Sequence, residues 1–326
     1  MRMTSLFRGF LSVIFGLMAA TMAMAGEGIH DLESLGKPVM SGTNLQAPAT
    51  EVARDAVWLD NMVLWIIISI TIFVTVLLIW VIIRFNNRAN KEPARFTHHT
   101  ALEIVWTLVP ILILIVIGSF SLPILFKQIE VPESDLTVKV TGNQWYWTYE
   151  YPESGIEFDS FMIGSPASLN VNDDPNDAFV TPYVNDEFMA QKLINNGYSP
   201  DEFLLAATTA LVVPVGKVVR VQVAASNVNH GFSVPSFGIK MDGIAGRLNE
   251  TWFRVGADPK DVAAGTDSDE NYIGVYFGQC SELCGKDHSY MPIVIKVVSQ
   301  EDYEKWLAGA IEEYAGLPAP TQVASN

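Results

Sequence analysis

Two apolar runs, residues 62–83 and 104–126, constrain this chain more than any other feature of it. Neither holds a charged side chain, and about 20 such residues are what a helix needs to cross the hydrocarbon core of a bilayer. A backbone in lipid must satisfy its own N–H and C=O groups, so both runs are expected to be membrane helices, at 58–84 and 104–126. Trp58 and Trp80 stand where interfacial aromatics belong. Pro110 and Pro123 fall inside the second run, which membrane helices tolerate when neighbouring groups satisfy the freed carbonyls. The loop between the runs, 85–103, follows Arg84 and carries Arg88, Lys91 and Arg95. Positive loops stay on the cytoplasmic side. The spans therefore form a hairpin, with both of its outer ends on the far side of the membrane.

Arg2 and Arg8 lead into a short apolar stretch that closes with Ala23-Met24-Ala25. This reads as a secretory signal peptide over 1–25, with an uncleaved anchor as the alternative. No cysteine lies near the cleavage point, so lipid is not attached there. Residues 26–57 lack periodicity and form an irregular arm outside the membrane. Beyond residue 127 the pattern turns to β-branched alternation, as in Leu136-Thr-Val-Lys-Val-Thr-Gly and Met291-Pro-Ile-Val-Ile-Lys-Val-Val. Such runs predict an all-β antiparallel sandwich over 127–308. The aromatic run Trp145-Tyr-Trp147-Thr-Tyr149 alternates as on a strand, which puts Trp145 and Trp147 on one face, with core packing the ordinary role for most of these rings. Within it, 162–203 is rich in Asn, Asp, Pro and Ser and reads as a surface excursion. Tyr303, Trp306, Leu307, Ile311 and Tyr314 recur at helical spacing, so a terminal amphipathic helix runs over 301–314. The tail completes the 309–326 segment. A formal net charge of −16 excludes nucleic acid as a partner and suits a basic protein.

The densest chemistry lies on one loop, Cys280-Ser-Glu-Leu-Cys284-Gly-Lys-Asp-His288-Ser-Tyr-Met291. It holds both cysteines of the chain, one of its five histidines and a methionine. Thiolate and thioether sulfur with imidazole point to copper, since zinc sites use N, S and carboxylate ligands instead of thioether. A Cys2His2 zinc site and a Cys280–Cys284 disulfide are the alternatives. His230, the one histidine elsewhere in the β region, is the natural second imidazole. A mononuclear blue-copper site needs a single cysteine, so one thiolate is left over. Two bridging thiolates instead suit two coppers. His230 and Met291 would complete one, His288 and the carbonyl of Glu282 the other.

Gly278-Gln-Cys-Ser-Glu-Leu-Cys-Gly285 with His288 and Met291 resembles the copper A signature of cytochrome c oxidase subunit II. The hairpin topology, the run Gly142-Asn-Gln-Trp-Tyr-Trp-Thr-Tyr-Glu-Tyr151, and the stretch from Phe237 through Arg247 to Asn249 are similar to the same family. The resemblance covers nearly the whole chain, and 162–203 looks like an insertion. It implies a cupredoxin-like Greek-key sandwich on a two-helix membrane hairpin, in a bacterial aa3-type haem-copper oxidase. The large domain would be periplasmic and the hairpin in the bacterial inner membrane, embedded in its lipid. Cytochrome c would pass electrons through Trp145 to a dinuclear copper A centre and on to subunit I, which reduces oxygen; subunit III would complete the assembly. Glu150, Glu153, Glu157 and Asp159 would dock the donor. The Glu282 carboxylate would reach a magnesium ion shared with subunit I, along a boundary lined by Lys240, Asp242 and Arg247. Glu103 would open a proton path. A copper-free quinol oxidase subunit II and a membrane-anchored metal-binding module are the competing functions, the first disfavoured by the complete ligand set.

Overall fold

The computed structural model describes residue 29 and residues 32–92, 94–169 and 181–314. The signal-peptide reading at 1–25 and the tail beyond 314 lie outside the described residues. Two units are present, residues 54–130 and the remainder.

The first unit consists mainly of two long helices, α1 (Glu51–Arg84) and α2 (Thr100–Ile129). Both are long and apolar enough to cross a membrane, and neither buries its apolar window within the protein. At 1.5 Å per residue they measure about 51 and 45 Å, longer than a hydrocarbon core of about 30 Å. Each extends beyond the span expected from hydropathy, because hydropathy marks only the lipid-facing part of a helix. Caps set the true starts. Thr50 accepts the Ala53 N–H at 3.0 Å, and the Nδ1 of His99 accepts the Leu102 N–H at 3.3 Å. Trp58 meets Phe120 edge-on across the hairpin at 5.5 Å.

The second unit is a sandwich of two sheets. One contains β2 (Leu136–Asn143), β3 (Tyr146–Tyr151), β4 (Ile156–Ser160), β6 (Val218–Ala225) and β9 (Asn249–Arg254), in the order β4-β3-β2-β6-β9. The other runs β5 (Leu211–Pro214), β11 (Pro292–Val298), β10 (Gly274–Cys280), β7 (His230–Val234) and β8 (Ile239–Gly243). Strict alternation buries Val138 and Val140 of β2 and Val219, Val221 and Val223 of β6 against Phe232, Phe253, Ile293 and Ile295. Each such side chain contributes roughly 1.5–3 kcal/mol when fully buried. The sandwich is mixed where the strand pattern predicted an antiparallel one, for β2–β6 and β5–β11 pair in parallel. Alternation reports which face is buried but not the direction of a neighbour.

Two further findings concern the arm read as irregular and the segment read as a surface excursion. The N-terminal arm contributes β1 (Ser34–Gly36), parallel to β10. Residues 162–203 carry a helix, α3 (Glu187–Asn195), capped by Asp186, whose carboxylate accepts the Met189 N–H at 2.9 Å. Met162, Ile163, Met189, Leu193 and Phe203 form a second apolar cluster on Val275, Phe277 and Val294. These residues therefore cover the outer face of β10 and β11, which explains why those strands are almost continuously apolar. The segment's buried Glu202 accepts from Ser34 Oγ at 2.5 Å and the Ser199 N–H at 2.9 Å and faces Lys37 Nζ at 3.6 Å, tying the segment to the arm. After a short helix, α4 (Pro259–Ala264), the chain ends its described part in α5 (Gln300–Tyr314), as the sequence predicted. Trp306 of α5 packs on Tyr151 at 5.3 Å.

Burial raises the phenols of Tyr149, Tyr151, Tyr198 and Tyr276 well above the ordinary tyrosine value. They stay neutral when folded, whereas in the unfolded chain they ionise near pH 10. The stability this represents is complete below about pH 10 and is lost as pH rises toward the folded values. Phenolate absorbance should therefore appear together with unfolding above about pH 10; reversible ionisation of these tyrosines in a folded domain would contradict it.

Candidate metal centre

Cys280 ends β10, Met291 immediately precedes β11, and the loop between them folds back over the start of β7. Pairing of Cys280 with Phe232, extended by a 2.9 Å bond from the Ser281 N–H to the Gly231 carbonyl, brings His230 under the loop. Gly142 of β2 makes room for that imidazole, since a Cβ there would stand 2.7 Å from the ring atoms Cγ and Cδ2.

All six donors named from the sequence come together. The two sulfurs are 3.9 Å apart, and both cysteines are free thiols. Cys280 Sγ lies 3.8 Å from His230 Nδ1 and 3.2 Å from the Glu282 carbonyl oxygen. Cys284 Sγ lies 3.5 Å from both His288 Nδ1 and Met291 Sδ. Sulfur and nitrogen ligands about 2.3 and 2.0 Å from a metal sit roughly 3.5–3.8 Å apart at the tetrahedral angle, so the spacing suits metal binding. His230, Met291, Cys280 and Cys284 are buried, while His288 is half-buried.

Electrostatics favour soft metal over bare thiolate. Burial, aided by His288, lowers His230 to about 4, which leaves a neutral imidazole ready to donate. Burial, followed by the charge of Cys280, pushes the Cys284 thiol up to about 12. Without a cation the Cys284 sulfur keeps its proton, and metal binding would release it. The His230 Nε2 is buried without a hydrogen-bond partner among the described residues. With the ring proton there, the Nδ1 lone pair faces the sulfur.

Trp145 sits in the turn between β2 and β3, not on the strand where the aromatic alternation placed it. There it packs at the edge of the core and leaves its indole half-exposed against the loop. Its Nε1–H donates to the Cys284 carbonyl at 3.2 Å. The ring lies on Gly285, whose φ is +126° and where a Cβ would stand 3.0 Å from the indole. Lys286 Nζ is 5.2 Å from the ring centroid. Trp147, read as core from the sequence, also serves the site: its Nε1–H donates to the Met291 carbonyl at 3.1 Å and its ring meets His230 edge-on at 5.8 Å. Only its place two residues after Trp145 hinted at this.

The four acidic residues named for docking separate. Thr148 pairs with Asp159, and Glu150 with Glu157, on the outer face of β3 and β4. Asp159, half-buried, accepts from the Thr148 hydroxyl at 2.6 Å, and Glu150 holds Lys139 at 2.6 Å. Desolvation raises both Asp159 and Glu157. Glu153 lies in the hairpin turn at the end of β3 opposite Trp145. In the first unit, Glu103 accepts the His99 N–H at 3.1 Å and thus caps α2. Lys240 and Asp242 pair at 3.3 Å.

Family models agree with both units: "Cytochrome C oxidase subunit II, periplasmic domain" matches residues 136–175 and 172–298, and "Cytochrome C oxidase subunit II, transmembrane domain" matches 38–124. The chain is 49% identical to cytochrome c oxidase subunit 2 of Cereibacter sphaeroides, over 98% of this chain and 97% of that one. It is 39% identical to a probable cytochrome c oxidase subunit 2 of Rickettsia bellii, over 83% and 85% respectively. A crystal structure of the periplasmic domain of subunit II of cytochrome oxidase from Bradyrhizobium japonicum is 38% identical, covering 57% of this chain and 100% of that one, with a TM-score of 0.39.

Proposed function

The chain belongs to the cytochrome c oxidase subunit II family, and from that premise we propose that Cys280, Cys284, His230, His288, Met291 and the Glu282 carbonyl hold a dinuclear copper A centre fed by cytochrome c. At the coarser level the chain is the membrane-anchored electron-transfer subunit of an oxidoreductase complex, with a separate periplasmic domain. The ligand cluster, two thiols 3.9 Å apart flanked by two imidazoles and a thioether, carries the finer reading. When bound there, a copper pair supplies one-electron storage shared over two metals. Metal analysis with electron paramagnetic resonance tests this. Two coppers sharing one unpaired electron supports it; zinc, a single copper or no metal rejects it.

The chain's own residues define the route. Trp145 offers the donor a half-exposed ring that is hydrogen-bonded to the backbone of a ligand. Trp147 and Phe232, packed edge-on at 5.5 Å, close the inner side of the site to water. Glu282 has two functional ends: its carbonyl faces Cys280, and its carboxylate is available to a magnesium ion shared with subunit I, because magnesium takes oxygen ligands and keeps waters. Lys240, Asp242 and Arg247 would line that same boundary. The membrane is the bacterial inner membrane, and subunit III completes the complex.

The acids Glu150, Glu157 and Asp159, with the net charge of −16, present a negative face to a basic donor. Glu153, at the far end of the hairpin, contributes only to the longer-range field. Turnover with soluble cytochrome c should fall as ionic strength rises, because screening acts over about 8 Å at physiological salt. A flat dependence would count against docking on this face.

Glu103 is proposed to open a proton path into the catalytic subunit. Glu103→Gln keeps an oxygen that can cap α2 but removes the ionisable group. It should slow proton uptake while copper reduction continues at its normal rate, and unchanged uptake would end the proposal.

A further inference from the structure

The described parts of 162–203 are packed against the domain, and one side chain there reaches the metal loop. Tyr183 stacks on Tyr290 with ring centroids 4.3 Å apart and planes 28° from parallel. Its hydroxyl faces the Asp287 carboxylate, whose charge, after burial, raises the phenol. Asp287 and Tyr290 bracket His288 in the loop, and the Tyr290 N–H bonds the Asp287 carbonyl at 2.9 Å across it. Of the side-chain metal donors His288 alone is only half-buried, so it has the least packing of its own to fix it. Asp287 is held from the other side as well, by Lys286 at 3.2 Å, and its side chain is only 15% exposed.

The backbone at Tyr183 points the same way. Its φ is +64°, a left-handed conformation that side chains other than Gly, Asn and Asp rarely adopt and that persists only where surrounding contacts impose it. Its N–H bonds the Gly164 carbonyl at 2.9 Å, anchoring the residue to the start of the segment. Behind it, Met162, Met189 and Phe203 seat the segment on β10 and β11, the two strands that carry the loop's ends. A second tether joins the same parts, since the Gln279 amide, next to Cys280, donates to the Leu204 carbonyl at 3.1 Å.

We infer that Tyr183 is a positioning residue for the metal centre: it clamps Asp287 and Tyr290 and thereby holds His288 in register with Cys284. This rests on the copper reading above. The segment supplies a support for the least enclosed ligand that the loop itself does not provide.

The test uses the intact membrane complex carrying Tyr183→Ala or Tyr183→Phe. Phenylalanine keeps the stacked pair and loses the hydroxyl; alanine loses both. Hydrogen exchange of the amides over 285–290, measured by mass spectrometry in copper-depleted and copper-loaded complex, reports the loop directly. Copper release to a chelator and the paramagnetic resonance spectrum report the ligand. An aromatic pair is worth about a factor of ten and a hydroxyl facing a carboxylate no more than that, so alanine should speed loop exchange by about ten- to a hundredfold and phenylalanine by about tenfold or less. Copper release should follow the same order and the spectrum should change in the alanine variant, with phenylalanine restoring most of it. Loop exchange unchanged by alanine would overturn the inference. So would equal acceleration over 186–207, which would mark general loosening of the segment. A wild-type complex lacking the copper pair would overturn the functional reading, and the exchange comparison in copper-depleted complex would still decide on the clamp.

Discussion

Cys284→Ser is expected to abolish the dinuclear copper signal and leave a membrane subunit that folds but passes no electrons. Cys284 Sγ stands within 3.5–3.9 Å of three other donors: Cys280 Sγ, His288 Nδ1 and Met291 Sδ. A hydroxyl in its place is a hard, weakly acidic donor that does not satisfy soft copper. Loss of an outer-sphere partner alone typically costs about 10–100-fold in metal affinity, and removal of a bridging sulfur should exceed that. Folding should survive because the change is near-isosteric and the thiol of Cys284 is protonated in the metal-free domain, its value held up at about 12 by burial. The comparison with Met291→Leu sharpens the expectation. That change removes only the weak thioether and keeps a buried apolar side chain, so copper should remain bound with an altered spectrum. If Cys284→Ser retained two coppers sharing one electron, the bridging assignment would be wrong.

The metal centre was legible in the sequence because its donors are chemically rare and locally concentrated. Both cysteines of the chain, His288 and Met291 fall on one loop, and His230 follows once the β region is recognised. The membrane helices were legible for a similar reason, since a charge-free run of that length suits little besides the interior of a bilayer. What escaped was whatever depends on a neighbour distant in sequence. Trp147 looked like any buried aromatic, and its bond to the Met291 carbonyl exists only because β3 and the loop meet in space. The parallel pairing of β2 with β6 leaves no trace in either strand's alternation. The helix α3 did leave one: Asp186 precedes Met189 and Leu193 at an i, i+4 spacing that buries both. Surrounding Asn, Asp and Pro residues masked that short amphipathic signal. Tyr183 carried no sequence cue at all, for the partners of its side chain, Tyr290 and Asp287, lie more than a hundred residues away.

Trp145 presents the sharper functional test, because its position differs from the strand residue anticipated. In the turn it packs at the edge of the core that holds Trp147, Tyr149 and Tyr151 and stays half-buried, and it spends its one hydrogen-bond donor on the Cys284 carbonyl. Trp145→Phe removes that donor and keeps a ring; Trp145→Ala removes the ring that a donor haem edge would touch. The rate of electron transfer from cytochrome c should fall by about tenfold with phenylalanine and about a hundredfold with alanine, the scale on which a misplacement of about 1 Å acts on a reacting pair. A small diffusible reductant, which needs no docking platform, should reduce both variants at close to the normal rate. The salt dependence of cytochrome c turnover should keep its slope, since Glu150, Glu157 and Asp159 are untouched. That combination separates transfer from docking: loss of an acid should change the salt slope and the association rate, while loss of the ring should change the rate within the docked pair. Should alanine leave cytochrome c oxidation within about twofold of normal, the electron would have to reach the centre by another surface. The exposed loop backbone around Leu283 would then be the next place to look, as that side chain is 79% exposed beside Cys284.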